Sequence, residues 1–216
     1  MLRPTVLLSA LSCLPLFSCA TSPAAREASP PAAMRAEDVR PLAVGARAPA
    51  PVLETMDGDA APLASHYAAG PTLLIFYRGS WCPFCQRHLE ELARVESDVR
   101  AAGVRIVAIS PDRPDEVAKH AAKSPGIAYT LLSDSDARAA REFGLAFKVD
   151  DAGMEMLRGY GIDLERASGR DHHLLPTPAV YLVDREGIVR FAHYDPDYKQ
   201  RLSGEEVLAA ARSIGG

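Results

Sequence analysis

Short apolar runs and longer stretches of 3.6-residue periodicity alternate along the chain. Residues 72–77 form a nearly unbroken apolar run suited to a buried strand, and residues 104–109, 129–132 and 179–183 repeat that character. Asp184-Arg185-Glu186-Gly187 then turns the chain into a further strand at 188–192. An earlier turn, Met56-Asp57-Gly58-Asp59, separates two short extended runs as in a hairpin. Helical segments lie between these runs at 83–102, 114–123 and 135–143, the last with Asp134 placed as its N-cap and Gly144 as its stop. A final helix opens on Ser203-Gly204-Glu205-Glu206, a capping box, and carries Val207, Leu208, Ala211 and Ile214 on one side. Strands alternating with helices predict an α/β fold around a mainly parallel sheet. Residues 148–175 interrupt the alternation. They hold one helical stretch near 152–160 and are expected to form an insertion over one edge.

The N-terminus follows a different pattern. Arg3 precedes an apolar run at 5–17. At about 1.5 Å per residue this run is too short for a hydrocarbon core of about 30 Å, which predicts a signal segment rather than a membrane span. The run ends on Ser18-Cys19, which resembles a bacterial lipobox and makes Cys19 the candidate for acylation. Cys13 is a second, weaker candidate, and ordinary secretory cleavage near Ala20 or Ala25 is the alternative. Either route predicts an envelope location, facing the periplasm, where cysteines can be oxidised. Residues 20–51 contain 11 Ala and 6 Pro and few large apolar side chains, a composition expected of a tether.

Composition narrows the function. A net charge of −4, 6% aromatic residues and a single Trp give no footing for a nucleic-acid partner. Four cysteines are too few for a disulfide-dense scaffold, and removal of the N-terminal segment would leave Cys82 and Cys85.

The chemistry is concentrated in Phe76-Tyr77-Arg78-Gly79-Ser80-Trp81-Cys82-Pro83-Phe84-Cys85. A strand ends, turns at Gly79-Ser80 and enters a helix at the cysteine pair. Apolar positions 85, 89, 92, 95, 99 and 102 form a helical stripe, so Cys85 is expected to face the core. Cys82 falls at the helix start, off the stripe and toward solvent, where the helix N-terminus favours thiolate. Pro83 is compatible with that position because its missing N–H has no helical partner there. An acidified thiol beside a buried one suits an attacking and a resolving cysteine, with the disulfide as the only redox group and no other cofactor. A structural disulfide would close too small a loop to add much stability. Zinc would need more ligands than the pair and His88 supply. A copper-delivery protein using Cys82, Cys85 and one of His172, His173 or His193 is a less favoured alternative.

A second stretch, Leu175-Pro176-Thr177-Pro178-Ala179-Val180-Tyr181-Leu182-Val183-Asp184, leads into a buried strand. Together with the cysteine motif and Asp195-Pro196-Asp197-Tyr198-Lys199-Gln200-Arg201-Leu202, it resembles the peroxiredoxin-like branch of the alkyl hydroperoxide reductase/thiol-specific antioxidant family over residues 42–214. The resemblance implies a thioredoxin-like fold, a mixed central sheet flanked by helices with a peroxiredoxin-type N-terminal hairpin. With the N-terminal reading above, the chain is expected to divide into a signal segment at 1–18, a tether at 19–41 and one domain at 42–216. The resemblance also implies that Cys82 and Cys85 are catalytic, that Trp81, Thr177 and Pro178 shape the site, and that the Thr177–Pro178 bond is cis and faces Cys82. Thr177 would then offer its backbone to an extended partner. Two positions depart from the family pattern: Gly79 stands where a threonine precedes the cysteine, and Pro178 where an arginine opens the late strand. Arg78 or Arg190 could supply the missing positive charge.

The expected reaction is thiol-dependent peroxide reduction, re-armed by a thioredoxin-like electron donor. Disulfide exchange on exported proteins is the alternative.

Overall fold

The computed structural model describes residues 29–214. Its organising element is the strand β3 (Thr72–Phe76), buried along its whole length. Side chains on a strand alternate between faces, and here both faces are covered. Leu73 and Ile75 pack into one apolar core, Leu74 and Phe76 into a second. β3 runs parallel to β4 (Arg105–Ser110), and β4 runs parallel to β5 (Thr130–Ser133). On its other side β3 pairs antiparallel with β8 (Ala179–Val183), which pairs antiparallel with β9 (Val189–Tyr194). The turn at Met56–Asp59 joins β1 (Val52–Glu54) to β2 (Ala60–Pro62) as the expected hairpin, and β1 pairs with β5. The seven-stranded order is β2-β1-β5-β4-β3-β8-β9. The sheet is therefore mixed, with its parallel part at the centre.

The helix α2 (Pro83–Ala101) packs on one face of the sheet through Cys85, Leu89, Leu92 and Val99, four positions of the expected stripe. The last helix, α7 (Gly204–Arg212), packs there too, and its Ser203–Glu206 capping box is formed. α3 (Pro114–Lys123) completes that face. The opposite face is covered by α1 (Leu63–Ala69) and α4 (Arg138–Glu142). α4 is shorter than the 135–143 expected. Ala137 adopts a left-handed φ of 50°, and helical geometry starts only after it. The Asp134 carboxylate still caps the segment, accepting the N–H groups of Ala139 and Ala140 at 3.0 and 2.9 Å.

Residues 148–175 contain two helices, α5 (Asp151–Gly159) and α6 (Leu164–Ser168), each opened by an aspartate N-cap, Asp150 and Asp163. The second helix was not visible in the apolar pattern because it is only five residues long. The insertion is stapled by β6 (Ala146–Lys148) and β7 (Leu174–Pro176), which pair with each other outside the main sheet.

The described part of the Ala/Pro-rich segment is docked, unlike the tether expected at 19–41. Ala33 forms a parallel bridge with Phe147, donating to Ala146 O at 2.8 Å and accepting from Lys148 N–H at 2.9 Å. Arg40 N–H donates to Gly144 O at 3.0 Å. Alanine side chains are small enough to let this backbone approach the domain, and Ala32 packs against Ala137, Ala140, Ala146 and Leu174.

Candidate active site

The loop from β3 to α2 carries the cysteine pair to the carboxyl edge of the parallel strands, where α/β folds place their sites. Cys82 is the N-cap of α2, and Pro83 occupies the first helical position. Both cysteines are free thiols. Cys85 is buried, as its place on the stripe requires. Cys82 is buried as well, at 1% exposure, which corrects the expectation that it points to solvent. The periodicity of α2 locates Cys82 off the helix stripe, but it carries no information about what the preceding loop and the insertion cover. Trp81 packs on the apolar cluster of Val149, Met154, Leu157, Leu164 and Leu175, and so ties the loop to α5, α6 and β7.

The two thiols are electrostatically unequal. The Cys82 sulfur is pulled down to about 6, chiefly by the Cys85 thiol beside it. Burial opposes this shift, while the Cys85 backbone N–H and the guanidinium groups of Arg78 and Arg201 assist it. Burial and the Cys82 sulfur drive Cys85 well above the ordinary thiol value. The asymmetry expected from the sequence is present, but its main source is the neighbouring thiol. Alkylation of the reduced protein by iodoacetamide should therefore rise about tenfold per pH unit below 6 and level off above 7, with Cys82 modified first. Because the folded value lies below the ordinary 9.0, ionised Cys82 adds stability above pH 9 that is lost as pH falls through 6.

Arg78, whose charge favours the Cys82 thiolate, also lines a cavity of about 250 Å³. Its guanidinium stacks on Tyr198 at 4.1 Å and Trp81 at 5.3 Å, and its buried Nε has no partner among the described residues. Phe147, Val149, Leu157, Pro178 and Tyr198 help to line the cavity, whose wall is mainly apolar. Arg190 is elsewhere: it pairs with Asp184 at the far end of β8 and is half exposed. Of the two arginines considered, only Arg78 is at the site.

Pro178 is at the cavity wall, but the Thr177–Pro178 bond is trans, contrary to expectation. Thr177 N–H donates to Leu145 O at 2.9 Å, which extends the β6–β7 ladder up to Pro178. The chain runs extended from that ladder into β8. The Thr177 N–H is thereby occupied and cannot pair with an extended partner. Its hydroxyl is buried without a protein partner.

Gly79 adopts φ +151°. A Cβ there would overlap the indole Nε1 of Trp81 and stand 2.9 Å from Asp112 Oδ1. This position has no room for the family's threonine. Asp112 is buried, accepts the Ser80 N–H at 2.6 Å and the Ser110 hydroxyl at 3.1 Å, and is pushed up to about 6 by desolvation.

The histidines do not gather at the cysteines. His172 bonds Ser135 O and accepts the Leu174 N–H, and His173 pairs with Glu165. His88 meets Leu202 O at 3.0 Å. Among the described residues, no three His, Cys, Asp or Glu side chains form a cluster able to hold a metal. Tyr198 and Arg201 lie in the irregular stretch between β9 and α7, where no periodicity marks them as site residues.

Residues 44–192 match the AhpC/TSA family, most of the domain and the whole cysteine motif. The chain belongs to that family. It is 30% identical over 107 residues to peroxiredoxin Bcp of Escherichia coli K12, covering 50% of this chain and 67% of that one. A Mycobacterium tuberculosis protein assigned to the peroxiredoxins is 31% identical over 103 residues, 48% of this chain, and the chain spans 64% of that relative's length. In three dimensions the fold resembles reduced Prx3 of Vibrio vulnificus, solved with hydrogen peroxide. The TM-score is 0.64 at 19% identity, over 79% of this chain and 99% of the other. At that identity the likeness concerns the fold: the thioredoxin-like α/β architecture of a peroxiredoxin.

Proposed function

We propose that this member of the AhpC/TSA family reduces hydroperoxides, with Cys82 as the attacking thiolate and Cys85 as the resolving thiol. The observation that carries this reading is the unequal pair itself: a Cys82 sulfur favoured as thiolate lies beside a protonated Cys85 and within the field of Arg78, which also lines a small, mainly apolar cavity. The Cys82 sulfur attacks one oxygen of the O–O bond. That bond breaks, the other oxygen leaves as water or an alcohol after taking a proton, and Cys82 becomes a sulfenic acid. Cys85 then attacks the Cys82 sulfur. An S–S bond forms, the S–O bond breaks, and water departs. A thioredoxin-like dithiol protein supplies the two electrons that reopen the disulfide. Arg78 offers an unpartnered Nε–H to the peroxide or to the oxygen that leaves. Trp81 and Pro178 wall the site.

The occupied Thr177 N–H favours a small substrate over an extended protein chain. The test is stopped-flow oxidation of the reduced protein by hydrogen peroxide, followed through Trp81, the chain's single tryptophan. A second-order rate far above that of free thiolate is expected. A rate equal to free thiolate would instead assign disulfide exchange on exported proteins.

We also infer that the enzyme is lipid-anchored in the cell envelope through Cys19, which lies outside the described residues. The apolar run that stops at Ser18-Cys19 motivates this. Among the described residues, no helix is long and apolar enough to cross a membrane. Globomycin should block maturation, and wild-type protein should partition into detergent. Normal processing and soluble release of Cys19→Ala would overturn the anchor.

A further inference from the structure

We propose that Arg201 is the catalytic residue for the resolving half of the reaction, holding the Cys85 sulfur and stabilising it as the thiolate that attacks oxidised Cys82. This assignment rests on the peroxide-reduction reading and adds a residue to it. Arg201 Nη2 donates to Cys85 Sγ at 3.5 Å. Its Nη1 donates to Gln200 O at 2.9 Å, and its buried Nε has no partner among the described residues. The guanidinium is thus held on the cysteine, and among the described residues no carboxylate pairs with it.

The helix that carries Cys85 also fixes the segment that carries Arg201. His88, one turn beyond Cys85, is pushed down to about 4 by burial and is neutral at pH 7, so its Nε2–H donates to Leu202 O at 3.0 Å. Glu91, on the next turn, accepts the Gly204 N–H at 2.7 Å. Leu202 itself is buried in the core shared by α2 and α7. Two side chains of α2 therefore hold the segment that directly follows Arg201 against the helix that carries Cys85.

The chemistry requires such a group. Cys85 is buried, and burial holds it protonated. While Cys82 is ionised, that state is useful, because the Cys85 thiol stabilises the Cys82 thiolate. Oxidation of Cys82 to the sulfenic acid removes its negative charge. Cys85 must then lose its proton and attack. The S–S bond forms as the S–O bond breaks, and the departing hydroxide with the thiol proton makes water. Apart from Cys82, the titratable and charged groups that act on Cys85 are the neutral Tyr77 hydroxyl, next to the end of β3, and the cations Arg78 and Arg201. Arg201 is the cation in contact with the sulfur. An opposite charge at this range shifts a thiol by about one to three pH units, which changes the thiolate fraction at pH 7 at least about tenfold.

The experiment compares wild type with Arg201→Met and Arg201→Lys, all first checked for a wild-type melting transition. After a peroxide pulse, Arg201→Met should accumulate sulfenic acid trapped by dimedone, with disulfide formation slowed about tenfold or more and Cys82 oxidation slowed less. Arg201→Lys should recover much of the resolving rate. Separately, in a Cys82→Ser background without peroxide, Arg201→Met should move the pH profile of Cys85 alkylation upward. An unchanged disulfide rate, or an unmoved Cys85 profile, would overturn the role of Arg201. Wild type that peroxide oxidises neither to the sulfenic acid nor to the disulfide would overturn the peroxide reading, while the Cys85 profile would still report on Arg201. Should Arg201→Met not fold, Arg201→Gln, which also removes the charge but keeps a polar side chain, carries the same comparison.

Discussion

Cys82→Ser should abolish peroxide consumption, a loss of at least about a thousandfold, because a serine hydroxyl is neither ionised near pH 7 nor a soft nucleophile. Cys85→Ser should behave differently. It should still consume one equivalent of peroxide, then stall as the sulfenic acid or as a mixed disulfide with an added thiol. The same substitution removes the thiol that most favours Cys82 ionisation, so the pH at which Cys82 reacts should rise above the wild-type value of about 6. At pH 7 that first step should therefore slow, and it should recover at pH 9. Mass spectrometry of the protein after a peroxide pulse, at both pH values, reads all of this. A Cys85→Ser variant that turned over at the wild-type rate would show that Cys85 does not resolve Cys82. Activity surviving in Cys82→Ser would move the chemistry to another residue.

Much of the fold was legible because its apolar segments are long or clearly periodic. The run at 72–76 is buried on both faces, and nothing but a central strand accommodates it. The stripe on α2 placed Cys85 correctly, and Ser203–Glu206 fixed the start of α7 through local capping chemistry alone. What was not legible depends on contacts distant in sequence. Cys82 is buried in the core, and its neighbour Trp81 packs on a cluster that includes Leu157, Leu164 and Leu175, all more than seventy positions away. Residues 29–41 dock through backbone hydrogen bonds, which an alanine- and proline-rich composition neither shows nor forbids. The occupation of the Thr177 N–H by Leu145 O joins residues more than thirty positions apart, a pairing that no local pattern marks. Arg201 carried no periodic signal because it lies in the irregular stretch between β9 and α7. Its importance comes from the fold bringing it to the α2 face.

Gly79→Thr, which restores the family's usual residue, should damage this protein rather than improve it. The backbone at Gly79 has φ +151°, in the region that side chains rarely adopt, and holding a β-branched residue there costs about 1–3 kcal/mol. The new Cβ would also overlap Trp81 Nε1 and stand 2.9 Å from the Asp112 carboxylate. Neither neighbour moves freely. Trp81 is packed on the insertion, and Asp112 holds the Ser80 N–H and the Ser110 hydroxyl. Overpacking of this kind adds about 1–3 kcal/mol. The two costs together predict a loss of about 2–6 kcal/mol, read as a melting point lower by roughly 5–20 °C for a domain of this size. Since Ser80 and Trp81 lead directly into Cys82, peroxide reduction should fall with stability. Gly79→Ala should show most of the same loss, because the conflict arises at Cβ. Combining Gly79→Ala with Trp81→Phe, which removes the indole N–H side of the ring, should give back part of the steric cost but not the cost of the positive φ. The non-additivity of the pair in a double-mutant cycle measures the steric share. Wild-type melting of Gly79→Ala would mean that the loop relaxes at no cost, and the absence of the family threonine would then have no explanation in the packing of Trp81 and Asp112.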